Sequence, residues 1–237
     1  MATPPEETTP ASTSPPVTQM PTTAPEPTQP PHSGLYIPGL SVDAVIEYFS
    51  EVCLQAEFNN SGDPSKLQKW VEPISYTLSG EYTSEDLQVL SQFTEWLNTV
   101  EGFPGIAETQ NPEQTNLQIF FTDAGGLAAL MGEQFMDCDG AVTFWYEEDE
   151  IYTANICYRT DIGQYIRNSV ILEELYNGLG PIQDTSLRED SIIYANYSEP
   201  QELTEIDELI LRLLYHPDMK CGMDAAECEA VIRKLYY

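Results

Sequence analysis

The chain has 237 residues and sets 39 acidic side chains against nine basic ones, a formal charge of −30. That balance excludes a nucleic-acid binder, since phosphate recognition rests on clustered Lys and Arg, and it disfavours adsorption to anionic lipid. A hydrophobic content of 41% suffices for a packed core, and no apolar run approaches the ~18 residues that a membrane span needs. The expected surface is acidic and solvated, with a weak preference for cationic partners or divalent ions.

Residues 1–33 are almost wholly Pro, Thr, Ser, Ala and Glu, and hold ten of the 18 prolines. Such a segment buries too little to offset its ordering entropy. An extended tether is expected there, followed by a single globular domain over 34–237. No apolar signal-peptide core is visible, which suggests a mature or trimmed product. A Thr/Pro stalk suits an exported protein, secreted or held like a lipoprotein on the outer face of a bacterial membrane, although no lipidation motif is present.

The spacing of Val42, Val45, Ile46, Phe49, Val52, Cys53 and Ala56 predicts a helix over Ser41–Phe58 with Ser41 as cap. Ile74, Tyr76 and Leu78 alternate as in a strand, and Pro73 marks an edge or bulge. Thr83 caps a second helix over Ser84–Val100. After a loop over Gly102–Asn116, Leu117–Thr122 is a strand, and Asp123 opens a short helix to Met131. The Gly125–Gly126 pair lacks the Lys-Ser/Thr of a phosphate loop, so nucleotide binding is not expected.

Ala141–Tyr146 and Ile151–Tyr158 form a hairpin whose acidic tip, Glu147–Glu150, lacks the spacing of an EF-hand. Asp161 caps the next helix, in which Ile162, Tyr165, Ile166, Val170, Glu173, Tyr176 and Asn177 recur at helical spacing. Thr204–Asp207 and Asp224–Glu227 signal two last helices. His216, the one histidine after residue 33, sits at a helix end, where it serves as a cap or surface group.

Cys53, Cys138, Cys157, Cys221 and Cys228 contain no Cys-x-x-Cys pair, so neither a zinc ribbon nor a thioredoxin-type site is supported. Pairing Tyr146 with Ile151 sets Cys157 opposite Gly140 and close to Cys138, a possible bridge. Cys221 lies outside the helix capped by Asp224, which makes Cys221–Cys228 the better-placed bridge, with Cys53 buried and free. Five reduced thiols are the other outcome.

One stretch, Val170–Tyr194, carries a pattern. Glu173 and Asn177 stand four apart on one helix face, Gly178 and Gly180 stop the helix, Gln183 and Asp184 follow, and Ser191-Ile192-Ile193-Tyr194 closes the run. This resembles the metzincin metalloproteases, whose His-Glu-x-x-His-x-x-Gly-x-x-His binds zinc through three histidines, with Glu as general base. In that resemblance Glu174 matches the general base and Gly180 the turn glycine, while Glu173, Asn177 and Gln183 fall on the histidine positions. Ser191–Tyr194 is similar to the Ser-Ile-Met-Tyr turn beneath the metal, with Ile193 in the methionine's place. The C-terminal half also resembles an uncharacterised family of secreted bacterial proteins with a similar histidine-free helix.

The resemblance implies an α+β fold: a small mixed, mainly antiparallel sheet packed on helices, zincin-like, around a degenerate active-site helix. It implies an antiparallel edge strand before that helix, where an extended peptide would pair. Zinc and other cofactors are not expected, because amides are weak zinc ligands; an oxygen set of Glu173, Asn177, Gln183 and Asp184 suits Ca²⁺, Mg²⁺ or Mn²⁺ instead. The simpler expectation is that the amides hydrogen-bond to one another and lock helix to turn, with Arg159, Arg167 or Arg188 neutralising Glu173. The expected protein is a monomeric, non-catalytic binding or scaffolding module for an envelope protein or peptide. The alternative is an unconventional metal-dependent hydrolase that uses Glu174.

Overall fold

The computed structural model describes residues 1, 35–55, 66–195 and 200–237. The chain divides at Pro31/His32, and every element described below belongs to His32–Tyr237. The expected tether, and Ala56–Phe58 of the first expected helix, lie outside the described residues.

Helix α1 (Val42–Leu54) begins where Ser41 Oγ accepts from Ala44 N at 3.2 Å, and its Val45, Phe49, Val52 and Cys53 stripe is buried. It ends at Leu54, with Gln55 extended. Strands β1 (Lys69–Trp70) and β2 (Ile74–Gly80) follow, then helix α2 (Ser84–Leu97), strand β3 (Ile106–Glu108), strand β4 (Leu117–Thr122) and helix α3 (Ala124–Met131). Strands β5 (Gly140–Glu147) and β6 (Glu150–Arg159) form the hairpin, and helices α4 (Gln164–Asn177), α5 (Glu205–Tyr215) and α6 (Ala225–Leu235) complete the fold. None of the described helices is long and apolar enough to cross a membrane.

The architecture is mixed α/β, and the sheet is mostly parallel rather than mainly antiparallel as the sequence suggested. Its six strands run β3–β2–β4–β6, with β1 also on β6, and all of these pairings are parallel. Only β5 is antiparallel, paired with β6 at the sheet edge. The cause is the connections. Helix α2 separates β2 from β3, a crossover that returns the chain in the same direction, whereas the two-residue turn before β6 reverses it. Period-two alternation identifies a strand and its faces but carries no direction.

Helix α4 lies on one face of this sheet. Tyr158 OH donates to Ile171 O at 3.3 Å, and a side chain on Gly140, the partner of Tyr158, would strike Val170 and Glu174. Residues paired across strands share a face, so Gly140, Val142 and Phe144 all look toward α4 with Tyr158, Ile156 and Ala154.

Helix α2 is fastened to α4 by a buried ion pair. Arg167 Nε donates to Asp86 Oδ1 at 2.8 Å, with the two side chains 6% and 0% exposed. Asp86 also completes the α2 capping box, accepting from Thr83 N at 2.7 Å, and takes a second donor from Gln164 at 2.6 Å. Burial opposes ionisation of Asp86, but the Arg167, Thr83 and Gln164 hydrogen bonds outweigh it and hold the carboxyl below its ordinary range.

Two stability predictions follow from these features. Arg167→Met leaves Asp86 buried without its cation and should cost about 3–5 kcal/mol in urea unfolding. At the hairpin tip Glu148 and Asp149 both hold positive φ, 51° and 64°, a turn that prefers Asn-Gly. The double change Glu148→Asn, Asp149→Gly should therefore stabilise by about 1–2 kcal/mol, read as a higher urea midpoint at unchanged m.

Candidate functional site

The segment between β6 and α4 differs from its expected form. Asp161 does not cap α4; both its carboxylate oxygens accept from Arg159, at 2.9 and 3.1 Å. Gly163 occupies the cap position without a side-chain bond, and the helix begins at Gln164. At the other end Gly178 caps α4 and Gly180 turns the chain with φ +130°, where a side chain would come within 2.7 Å of Gln68 O. Only glycine passes that point without displacing backbone.

The chain after Gly180 runs beside the Ser191–Tyr194 turn. Thr185 N donates to Ile193 O at 2.9 Å, Ala195 N donates to Thr185 O at 2.9 Å, and Thr185 and Tyr194 form a parallel bridge. Ser191 Oγ donates to Asp207 Oδ1 at 2.7 Å, Ile192 N donates to Oδ2 at 3.2 Å, and Tyr48 OH donates to Ser191 Oγ at 2.8 Å. A buried carboxylate on α5 thus holds the turn from inside, and Ile193 is fully buried.

Four of the sequence-predicted residues share one electrostatic neighbourhood. Glu174 is 9% and Asn177 8% exposed, and Glu173 is partly buried. Burial pushes the Glu173 carboxyl up to about 8, with Asp184 and Asp139 adding to the rise. Burial, then Glu173 and Asp184, hold Glu174 well above the carboxylate range. Neither glutamate has a hydrogen-bond or ion-pair partner among the described residues. Asn177 stands one turn beyond both, three residues from Glu174 and four from Glu173, and its Oδ1 is buried with no hydrogen-bond partner.

The expected compensations are not formed. Arg159 binds Asp139 and Asp161, Arg167 binds Asp86, and Arg188 binds Asp190 at 2.6 Å. Gln183 does not meet Asn177: its Nε2 donates to Asp184 O at 3.2 Å and its backbone N to Val52 O at 3.3 Å. The amide lock between helix and turn is therefore absent from the described residues.

The cysteines are also unbridged; all five are free thiols. Cys221 donates to Lys69 O at 3.8 Å instead of joining Cys228. A bulge at Trp145/Tyr146 shifts the hairpin register by one, so Cys157 pairs with Ala141 and lies on the sheet face away from α4, unjoined to Cys138. Sequence reasoning missed Asp139 and Gly140, which this same register brings to the carboxyl cluster. Burial is the first cause that raises the Cys138 thiol, and Glu174 is the next, so the start of β5 borders the site.

The donor set does not fit zinc. Zinc sites draw on imidazole and thiolate, and the site has two glutamates, an aspartate and an amide. No group of three or more His, Cys, Asp or Glu among the described residues is placed to hold a metal ion. His216 is occupied at the end of α5, its Nδ1 accepting from Asp218 N at 3.1 Å. Protonated, Glu174 is a hydrogen-bond donor and not a base. A second concavity of about 280 Å³, lined by Val89, Phe93, Trp96, Leu172, Leu203 and Glu208, offers no comparable chemistry. Its Glu208 is paired with Arg212 at 3.2 Å, and that guanidinium stacks on Trp96 at 5.2 Å.

A family model described as "Protein of unknown function (DUF2927)" matches residues 43–234. No curated protein matches the chain.

The raised carboxyls fix a pH dependence. In the window between their ordinary value of about 4.5 and the Glu173 value of about 8, the folded chain holds protons that the unfolded chain has released. Stability from these groups is therefore complete below that window and is lost as pH rises through it. Glu173→Gln and Glu174→Gln should each raise the melting temperature at pH 8 by about 2–5 °C, and change it little at pH 4. Thermal unfolding followed by circular dichroism at the two pH values tests this.

Proposed function

The chain belongs to the DUF2927 family of proteins of unknown function, and from that premise we propose a non-catalytic binding or scaffolding module, part of an exported protein tethered at a bacterial cell envelope. Its contact surface runs along the edge of β5 that pairs with no strand among the described residues, beside α4, on a scaffold of metzincin-like organisation. The observation that carries this reading is the state of Glu174. The residue matched to a general base is buried and lacks a cation partner among the described residues, and burial, with Glu173 and Asp184 beside it, holds its carboxyl well above the ordinary carboxylate range.

Further features agree with the reading. Strand β5 is antiparallel and lies at the sheet edge, and β6 feeds α4 through a short connection. A peptide adding to such an edge gains main-chain hydrogen bonds, and alternate side chains supply specificity. Trp145, Tyr146 and Tyr152, exposed by 43%, 52% and 53%, crowd the hairpin end. The Thr/Pro-rich composition of residues 1–33 supports the tethered, exported setting.

A hydrolase that uses Glu174 with an oxygen-bound metal is the second reading, motivated by the gathering of Glu173, Glu174 and Asp184. Elemental analysis of the full chain purified without a His tag separates the two. The binding reading expects metal well below one equivalent and no peptidase activity that Glu174→Gln removes; one equivalent of bound metal and an activity lost in that variant would overturn it.

A further inference from the structure

Two glutamates and an orphaned amide oxygen lie within one turn of each other on α4, and the start of β5 borders the Glu174 carboxyl. Asp184 raises both Glu173 and Glu174, Glu173 raises Glu174 further, and the buried Asn177 Oδ1 has no hydrogen-bond partner among the described residues. An orphaned buried acceptor costs about 1–3 kcal/mol, a penalty that an incoming donor removes. We propose that this cluster receives the ammonium or guanidinium of a Lys or Arg side chain presented by an extended peptide paired along β5. The proposal rests on the binding reading above and supplies the chemical class of its ligand.

Geometry decides the direction of approach. Gly140, Val142 and Phe144 look toward α4, and Gly140 leaves its side-chain space to the Glu174 carboxyl. On a strand added beside β5, residues opposite these positions share that face and point toward the Glu174 side of α4. Glu173, partly exposed, meets such a side chain first; Glu174 and Asn177, each more than nine-tenths buried, lie deeper.

Charge decides the ligand. A chain at −30 attracts cations, and the nearest basic side chain on the same helix, Arg167, is held by Asp86. Among cations, a metal ion is the poorer fit, because the described acidic and sulfur ligands form no group able to hold one. An organic cation with several N–H donors tolerates a wider spread of acceptors and takes the amide oxygen as well. Binding must expel protons from the glutamates, so the cation displaces H⁺ and its affinity rises with pH. Asp139, Asp184, the Cys138 and Cys157 thiols and the Tyr158 hydroxyl are the other titratable groups that interact with the pair among the described residues.

The test uses the full chain and blocked eight-residue peptides of alternating Val and Thr with a central Lys, Arg or norleucine, titrated by calorimetry at pH 6 and 8. Lys or Arg peptides should bind about tenfold tighter than norleucine at pH 8, with proton release, and the preference should shrink at pH 6. Glu173→Gln with Glu174→Gln should abolish the preference and leave norleucine binding unchanged. Glu147→Gln with Glu148→Gln, which removes the same charge at the hairpin tip, should preserve it. Equal binding of Lys and norleucine peptides, or a preference that survives the α4 double variant, overturns the proposal. If no peptide binds, ethylguanidinium decides: a thermal shift in the wild type, absent in the α4 double variant, keeps the cation site and rejects docking along β5, and no shift rejects the site. Saturable Ca²⁺ or Mn²⁺ binding lost in the α4 double variant also overturns it, in favour of a metal.

Discussion

The buried pair of Arg167 and Asp86 determines which charges on α4 go without a partner. Arg167 and Glu174 are seven residues apart, so they point the same way from the helix, but about 10 Å apart along its axis. Arg167 is turned toward α2, where the capping box and Gln164 complete the coordination of Asp86, and it also donates to Thr160 O at the end of β6. The one cation on the sheet-facing stripe of α4 is thereby fixed at its first turn. The carboxyls two turns on are left to desolvation and to each other.

Composition makes that arrangement strict. With nine Lys and Arg in the sequence, few are left to reassign. Arg159, Arg188, Arg212, Arg233 and Lys234 are each in ion pairs, and Lys69 is spent on two carbonyls, Leu214 O and Met219 O at 2.9 and 2.7 Å. Burial lowers Lys69 to about 8, yet those carbonyls at the end of α5 give its ammonium hydrogen-bond acceptors. Asp207 shows the other way to hold a buried carboxylate. Its burial raises it, and hydroxyl and backbone donors from Ser191, Thr204 and Ile192 bring it part of the way back. Glu173 and Glu174 have neither remedy among the described residues.

Much of the fold was legible in the sequence because its signals are local. Thr83, Thr204 and Asp224 cap helices with an acid three residues later, and apolar spacing located the core face of α1. What failed depends on non-local facts. Strand direction follows from crossovers, β3 has only three residues, and the bulge that moves Cys157 to Ala141 has no residue signature of its own. That Asp184 comes near Glu173 was readable from helical spacing and a glycine stop. The lack of partners for Glu173, Glu174 and the Asn177 Oδ1 among the described residues was not, since it depends on where Arg159, Arg167, Arg188 and Gln183 go instead. Asp207 reads as an ordinary cap residue and Asp86 has no signal of its own beyond standing three residues after Thr83; only burial and hydrogen bonding reveal that each also ties two distant elements together.

The raised glutamate carboxyls also link the proposed recognition to any chemistry at this site. A general base near neutral pH needs its ionised form populated, and the low-dielectric surroundings of Glu174 oppose that form. A positive charge brought close to Glu173, Glu174 and Asn177 shifts the balance furthest, by lowering the carboxyl pKa values and by giving Oδ1 a partner. On the proposed reading, the group that supplies that charge is the ligand, because the free energy that ionises the carboxyls is part of its binding free energy. A peptide cation spends that free energy on affinity and leaves no polarised water. On the binding reading proposed above, binding and inertness are two consequences of one donor set, and a zinc-dependent catalytic site on this helix would require exchanging the amide and carboxyl groups for ligands that hold that metal.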